Sequence, residues 1–244
     1  MKNTKVIFEN CKQELDEAKE EFKGSPEGHL GIKQTTYYQI IKKKHIGITK
    51  NKSLIRQLCR KRYLQERIAQ LENNISKPIS EFDYRTPSEL INSLPKAYLT
   101  VPDDYFYHPS IAAWKAETPK ENTINPENLI YSSNDKIQFR SIAERSIAEQ
   151  LDNYGLPYRY DTVIKIYGKE VSPDFIIRNP YTGRSFIWEH FGAFHEEKYE
   201  ESMNKKMDLY LRKGLIPSVN LISTYGYHIR DTRRIKKIIE EIIL

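Results

Sequence analysis

Hydrophobic positions near the N-terminus first recur at helical spacing and then alternate with polar ones. Over residues 4–23 the apolar stripe has the period of an amphipathic helix, which predicts a first helix. The stripe consists of Cys11, Leu15, Ala18 and Phe22. The segment "GSPEG" ends this helix, and three runs typical of short strands follow: "HLGIK", "YYQII" and "HIGIT". A second helical pattern begins near Lys52, so residues 1–76 are predicted to be mostly helical with a small β-hairpin.

From residue 136 onward, segments whose apolar residues have helical spacing alternate with segments that have the pattern of strands. "FRSIAERSIAEQLDNYG" predicts a helix that ends at Gly155, and "YRYDTVIKIYG" predicts a strand. "DFII" and "SFIW" predict two strands joined by the turn "RNPYTG". A helix from about Glu196 to Lys213, the strand "SVNLIST" and a closing helix complete the order α-β-β-β-α-β-α. This order predicts an α/β fold in which a mixed sheet is flanked by helices and the last two strands are parallel.

Charge is concentrated in one segment of the chain. The net charge is +6, yet residues 33–67 contain eleven lysines and arginines and one acid, Glu66. Aromatic rings lie among these cations, and such a mixture suits a nucleic acid, because cations replace counterions on phosphates and rings stack on bases. The predicted phosphate contacts are Lys42, Lys43, Lys44, Arg56, Arg60, Lys61 and Arg62. The alternative is a basic face that is merely solvated.

These patterns divide the chain into three predicted regions. Residues 1–76 form a basic nucleic-acid-binding region, and residues 136–244 form an α/β core. Residues 77–135 are rich in Pro, Asn and Ser but contain the aromatic cluster "YLTVPDDYFYHPSIAAW". Because exposed aromatic rings are costly in water, we expect an ordered connector there.

Membrane insertion and disulfide formation are not indicated by the sequence. No apolar run approaches the roughly 20 residues of a membrane span, so no membrane partner is expected. The N-terminus has the pattern of an amphipathic helix and no apolar core of a signal peptide. Cys11 and Cys59 lie in helical patterns without metal-ligand spacing, which predicts reduced thiols and a cytoplasmic location.

Two acids interrupt the predicted strands of the core. Asp174 follows Pro173 and precedes the first apolar run, and Glu189 lies within the second. Carboxylates are rare on buried strands unless a partner compensates their charge. Ion pairs with Arg178 or Arg184 would supply that partner, and a divalent cation is the alternative.

The order of elements and these acids together resemble the PD-(D/E)xK nuclease superfamily, which has the restriction-endonuclease-like fold. "SPDF" matches the Pro-Asp of its motif, "WEH" supplies the second acid, and "RSIAE" supplies the glutamate that many members have on the first core helix. The resemblance covers about residues 136–227. It implies hydrolysis of phosphodiester bonds, we expect of DNA, with Mg²⁺ or Mn²⁺ held by Glu144, Asp174 and Glu189. The sequence Ser141-x-x-Glu144 also fits a helix capping box, which would give Glu144 a structural role.

One position departs from the motif. The superfamily has a lysine two residues after the second acid, and this chain has Phe191 there. His190 is adjacent, and although strand alternation directs it to the opposite face, a bulge at or near Gly192 would twist the strand end and let it act as the polar group. Lys206 is the other candidate, because it interrupts an apolar and aromatic stripe on the next helix, where a buried carboxylate would supply its partner. The stripe consists of Tyr199, Met203, Lys206 and Tyr210.

Two functions follow from these observations. The first is a metal-dependent nuclease with catalytic residues Glu144, Asp174, Glu189 and either Lys206 or His190, whose basic N-terminal region binds DNA. The second is a catalytically inactive nucleic-acid-binding or regulatory module on the same fold, because fold does not determine activity. The sequence is compatible with a homodimer and with a larger DNA-processing assembly, and it does not distinguish between them.

Overall fold

The structure is a computed structural model that describes residues 4–132, 137–192, 197–229 and 231–244. The chain forms two compact units, Met1–His108 and Pro109–Leu244. The predicted boundary between residues 135 and 136 lies outside the described residues. Within the described ranges, no helix combines the length and the apolar character that crossing a bilayer requires.

The first unit is built from two long helices and a small sheet. Its elements are α1 (Thr4–Lys23), β1 (His29–Lys33), β2 (Thr36–Ile41), β3 (Lys44–Gly47), α2 (Lys52–Ile75) and α3 (Pro87–Asn92). The predicted hairpin is in fact a three-stranded antiparallel sheet in the order β1-β2-β3. Ion pairs join α1 to α2: Arg60 with Glu21, Arg67 with Glu14, and the more exposed Lys19 with Glu72.

Part of the predicted connector belongs to this first unit. The chain after α2 returns along the helix, and the side-chain amides of Gln70 and Asn74 both donate to the carbonyl oxygen of Asp83. Leu90 and Phe106 are fully buried. The segment 77–135 is therefore divided between the two units, with Leu90 and Phe106 buried in the first and Ile111 and Trp114 buried in the second.

The second unit contains the predicted α/β core. Its elements are α4 (Ser110–Ala116), β4 (Tyr131–Ser132), β5 (Gln138–Phe139), α5 (Ile142–Asn153), β6 (Tyr158–Tyr160), β7 (Ile164–Ile166), β8 (Lys169–Val171), β9 (Phe175–Arg178), β10 (Ser185–Phe191), α6 (Glu197–Arg212), β11 (Leu221–Tyr225), α7 (Gly226–Ile229) and α8 (Thr232–Ile238). A π-helical turn, Ile239–Ile243, extends α8. Glu196, the predicted first residue of α6, lies outside the described residues.

The main sheet of this unit is mixed. Its strand order is β11-β10-β9-β6, with β10 parallel to β11 and antiparallel to β9. The remaining pair, β6 with β9, is antiparallel. The helix α6 connects the two parallel strands. The predicted mixed α/β sheet is thus present, with its last two strands parallel.

One predicted strand is interrupted. "YRYDTVIKIYG" forms β6 and β7, which belong to different sheets, and Asp161 separates them with a left-handed backbone (φ 46°). The Asp161 carboxylate binds Arg140 and Asn122, and its backbone N–H donates to the carbonyl oxygen of Asp174. These contacts come from distant parts of the chain, so local periodicity did not predict the break.

Apolar side chains cover both faces of the main sheet. On one face α5 and α8 pack against β9, β10 and β11, and the fully buried members of this cluster include Ile147, Leu151, Phe175, Trp188 and Ile235. On the other face Tyr210 of α6 packs with Ile166, Ile187 and Leu221. Residues of β10 therefore alternate between two buried faces, which explains its nearly continuous apolar sequence.

The turn between β9 and β10 is organised by Asn179, which is 2% exposed. Its side-chain oxygen accepts hydrogen bonds from the backbone N–H groups of Tyr181 and Thr182, and its amide donates to the carbonyl oxygen of Ile243. One side chain thus fixes the turn and attaches it to the C-terminal helix. The two strands that bear Asp174 and Glu189 meet at this turn.

We expect Asn179→Ala to lower the free energy of unfolding by about 2–3 kcal/mol, because one buried and two half-buried backbone groups lose their partner. Thr182→Ala is the control in the same turn, since its hydroxyl accepts only one bond, 3.3 Å from the N–H of Arg184. Urea denaturation monitored by circular dichroism measures both. Equal losses in the two variants would contradict a special role for Asn179.

Candidate active site

Asp174 and Glu189 lie opposite each other on the main sheet. The register pairs Trp188 with Phe175, and continuing it by one residue pairs Glu189 with Asp174. Paired residues point to the same face of a sheet, so the two carboxylates are directed to the face covered by α6. One Asp174 oxygen accepts a hydrogen bond from the backbone N–H of His190 at 2.6 Å. The predicted pair of acids is therefore brought together by strand pairing.

The Glu189 carboxylate is held by two residues of α6. Lys206 Nζ lies 2.8 Å from Oε2, and the Tyr210 hydroxyl donates to Oε1 at 2.6 Å. Glu189 is 2% exposed and Tyr210 is fully buried, whereas the Lys206 side chain is 24% exposed. Lys206 and Tyr210 are four residues apart, so they lie on one face of the helix. The side chain of Tyr199, the other aromatic member of the predicted stripe, lies outside the described part of the structure.

The two carboxyl groups have perturbed proton affinities. Burial, then the neighbouring Glu189 charge, raises the pKa of Asp174 well above its usual value, while Lys206 opposes this shift. Burial also raises the pKa of Glu189, and the Lys206 charge and the Lys206 and Tyr210 hydrogen bonds oppose it. Burial and the Glu189 charge raise the pKa of Tyr210, which keeps its hydroxyl protonated as a donor. The site therefore concentrates negative charge that one ammonium only partly compensates.

His190 lies on the opposite face of the sheet, as strand alternation predicts. Its ring Nδ1 is 3.1 Å from the hydroxyl oxygen of Thr224, which also accepts from the indole N–H of Trp188. The backbone N–H of His190, by contrast, donates to the Asp174 carboxylate. Lys206, and not the His190 ring, is thus the basic group that faces them. Phe191, in the position of the motif lysine, is buried against the ring of Tyr225.

Glu144 is the third residue of α5, and its carboxylate is turned toward the sheet. The Ser141 hydroxyl accepts from the Glu144 N–H at 3.1 Å, so Ser141 does cap the helix. The carboxylate itself accepts from the Tyr160 hydroxyl at 2.5 Å and from the Arg140 N–H at 3.2 Å. Only half of the capping-box pattern is therefore present. The Glu144 charge also contributes, after burial and the Glu189 charge, to the raised pKa of Asp174.

The arginine that precedes the turn does not neutralise the acids. Arg178 donates to the carbonyl oxygen of Gly183 and lies over the ring of Trp114. Glu189 is paired with Lys206 instead. Glu189 therefore does form an ion pair, but with Lys206 of α6 and not with Arg178.

Divalent cations such as Mg²⁺ bind to carboxylate oxygens, which Asp174 and Glu189 supply. Among the described residues, no group of three or more His, Cys, Asp or Glu side chains is placed to hold a metal ion, so the three predicted ligands do not form a closed site. Asp174 and Glu189 alone offer adjacent carboxylate oxygens. Mg²⁺ commonly binds through one or two carboxylates and keeps several waters, so these two residues fit it. Of the three predicted ligands, Glu144 does not fit direct coordination of the cation, because its carboxylate accepts a hydrogen bond from Tyr160.

The predicted phosphate contacts fall into two groups. Lys42, Lys43 and Lys44 lie at the turn between β2 and β3 with exposed side chains. Arg56 is also exposed, 2.6 Å from Asp104 and above the ring of Tyr105. The three lysines are open to a ligand, whereas Arg56 is exposed but already paired with Asp104.

The other three cations are used within the first unit. Arg60 is 7% exposed, forms a two-pronged ion pair with Glu21 and donates to the carbonyl oxygen of Phe106. Lys61 donates to the carbonyl oxygens of Pro26 and Gly28, and Arg62 pairs with Glu66. The prediction that Arg60 contacts phosphates is therefore wrong, because its guanidinium is buried in contacts that hold α1 on α2.

Sequence reasoning missed several residues of the site. Tyr160 and Arg140 donate hydrogen bonds to the Glu144 carboxylate, and the Thr224 hydroxyl on β11 contacts the His190 ring. A comparison of the chain with protein-family models, curated proteins and solved structures found no match. The resemblance to PD-(D/E)xK nucleases therefore rests on the motif residues and their positions.

The raised pKa of Asp174 predicts a pH-dependent cost to stability. The folded state binds the proton more tightly than the unfolded state, so stability is fully present below about pH 4 and declines as the pH rises toward the folded pKa. Asp174→Asn removes the charge and keeps an oxygen for the His190 N–H. In EDTA we expect this variant to be more stable than the parent at pH 7, with the difference vanishing below about pH 4.

Thermal unfolding between acidic and neutral pH measures this difference. Asp208→Asn is the control, because Asp208 is an exposed residue of α6 paired with Arg212. A gain that persists at acidic pH, or an equal gain in the control, would show that the Asp174 charge is not its source.

Proposed function

We propose that this protein is a Mg²⁺- or Mn²⁺-dependent nuclease that hydrolyses phosphodiester bonds of DNA. The observation that supports this most directly is the pair of adjacent carboxylates, Asp174 and Glu189, with the Lys206 ammonium 2.8 Å from Glu189. Two acids at the sheet and one ammonium from the helix that covers it provide both sites for a cation and positive charge for a phosphate. The cluster lies at the positions that the motif resemblance selects.

We further propose that the second unit has the restriction-endonuclease-like arrangement. The support is the order of its elements: α5, then β6, β9 and β10 of one sheet, then α6, then β11 parallel to β10. Asp174 precedes β9 and Glu189 lies in β10, as in the motif. Lys206 on α6 takes the place of the lysine that the motif has at Phe191.

Each residue of the cluster has a role in this proposal. The His190 N–H orients Asp174, and the Tyr210 hydroxyl orients Glu189, so both carboxylates are preorganised as ligands. A bound cation would polarise a phosphate and lower the pKa of a coordinated water. The Lys206 ammonium stabilises negative charge that develops on the phosphate. Its partial exposure leaves it accessible from solvent.

A catalytically inactive nucleic-acid-binding or regulatory module is the second candidate. Both oxygens of Glu189 already accept hydrogen bonds from α6, and the motif lysine is replaced by the buried Phe191. A carboxylate that is satisfied within the protein does not require a cation. The exposed cations of the first unit would then be the functional feature. A homodimer or a larger DNA-processing assembly stays compatible with either candidate.

We expect Asp174→Asn and Glu189→Gln each to abolish cation-dependent cleavage, because a neutral amide is a poor ligand for Mg²⁺ or Mn²⁺. Plasmid and single-stranded DNA are incubated with each cation and with EDTA, and products are resolved on gels. Asp208→Asn, which changes an exposed acid of α6, should retain parental activity. If the parent binds DNA and cuts neither substrate with either cation, the inactive module is the correct function.

We expect Lys206→Ala to lower turnover by about 10²- to 10³-fold, because the ammonium acts on charge that appears only in the transition state. Cation affinity and DNA affinity should change little. Lys205→Ala is the matched control, since Lys205 is 79% exposed and pairs only with Glu201 among the contacts observed for it. Single-turnover cleavage separates chemistry from binding. Parental turnover in Lys206→Ala would exclude the migrated lysine.

A further inference from the structure

One face of the small sheet of the first unit has exposed side chains on its outer strands and half-buried ones on its central strand. Alternation along β2 puts Tyr38 and Ile40 on this face, and the register adds His29 and His45 beside Ile40. Both histidines are exposed. The opposite face includes Leu30, which is buried. We call the surface formed by His29, Lys33, Tyr38, Ile40 and His45 the open face.

Space for a flat ligand exists beside Tyr38. Its cross-strand neighbours are Gly31 on β1 and Gly47 on β3. A Cβ at Gly31 would lie 2.5 Å from the Ile40 side chain, whereas a Cβ at Gly47 would meet no atom within 4 Å. The His45 ring stands edge-on to Tyr38, with 5.9 Å between ring centroids. Ile40 therefore covers Gly31, whereas the space above Gly47 beside Tyr38 is open, and the His45 ring lies two residues away on the same strand as Gly47.

The charge around the open face suits an anion. Residues 28–65 contain no aspartate or glutamate. Lys33 is exposed at one end of the sheet, and Lys42, Lys43 and Lys44 are exposed at the turn between β2 and β3. A polyanion that crosses the sheet would meet cations at both turns without an opposing carboxylate from this segment.

The backbone of the turn between β2 and β3 is strained at two lysines. Lys42 and Lys43 both have left-handed backbones, with φ of 46° and 71°. Two-residue turns of this kind favour Asn and Gly, because other residues are strained there. Strain retained at an exposed turn is a reason to assign its side chains a function.

We propose that the open face binds single-stranded DNA, with a base stacked on Tyr38 over Gly47 and phosphates bound by Lys42 and Lys43. An unpaired base exposes the flat surface that an aromatic ring contacts, whereas a duplex hides it. The choice of DNA rests on the proposed nuclease function. Binding at the open face does not depend on the acids of the second unit.

The test is fluorescence anisotropy in EDTA with the full chain and an oligothymidine of about 16 nucleotides. Tyr38→Ala should weaken binding at least about fivefold, and Tyr38→Phe, which keeps the ring, should not. Gly47→Val should weaken it similarly by filling the space beside the ring, and valine suits a strand. Ile46→Ala is the control, because Ile46 is 49% exposed on the opposite face.

Lys42→Gln and Lys43→Gln should weaken the binding of single strands and of duplex alike. Each should also reduce the dependence of log affinity on log salt for single strands by about 0.7. In contrast, Tyr38→Ala and Gly47→Val should leave duplex binding unchanged. Thermal melting of each variant confirms that it is folded.

Two results would overturn the proposal. If Tyr38→Ala and Gly47→Val bind oligothymidine as the parent does, bases do not stack on this face. If oligouridine binds more tightly than oligothymidine, the occupant is RNA. Absence of cleavage by the parent, with base-dependent binding intact, would refute the nuclease function and leave this inference standing.

Discussion

The ion pair between Glu189 and Lys206 determines how the core of the second unit is arranged. Glu189 lies on β10, which pairs with β9 on one side and β11 on the other, and a carboxylate buried there without a partner would be strongly unfavourable. Its partners Lys206 and Tyr210 both come from α6, the helix that connects β10 to β11. The same contacts that compensate the charge therefore fix the crossover helix against its sheet face.

The Lys206 ammonium does not compensate both negative charges, and the charge that lacks a cationic hydrogen-bond partner among the described contacts is that of Asp174. Lys206 bonds to Glu189, while Asp174 receives a backbone N–H and remains next to a second negative charge. A protein selected only for stability would replace Asp174 with a neutral residue. Perturbed acids that persist at a cost are a common property of functional sites. The raised pKa of Asp174 is thus a property that the proposed nuclease site shares with functional sites in general.

Local patterns predicted the parts of this fold that depend on nearby residues. The helix stripe identified Lys206 as a misfit that needed an acid, and the turn "RNPYTG" joined the two acid-bearing strands. The break at Asp161 was not predictable, because its partners Arg140 and Asn122 lie 21 and 39 residues away. Arg60 was misassigned for the same reason, since Glu21 is 39 residues distant. Charge counting does not distinguish a cation that binds its own chain from one that is available to a ligand.

That distinction changes what the basic segment means. Arg60, Lys61 and Arg62 lie on α2, where their partners are carbonyl oxygens and carboxylates of the first unit. Cations without such partners among the described contacts cluster at the strained turn between β2 and β3, beside the open face. The segment therefore combines two uses of positive charge, of which one assembles the unit and the other is exposed. The smaller exposed set, next to Tyr38, is a more specific basis for recognising a nucleic acid than the total charge of the segment.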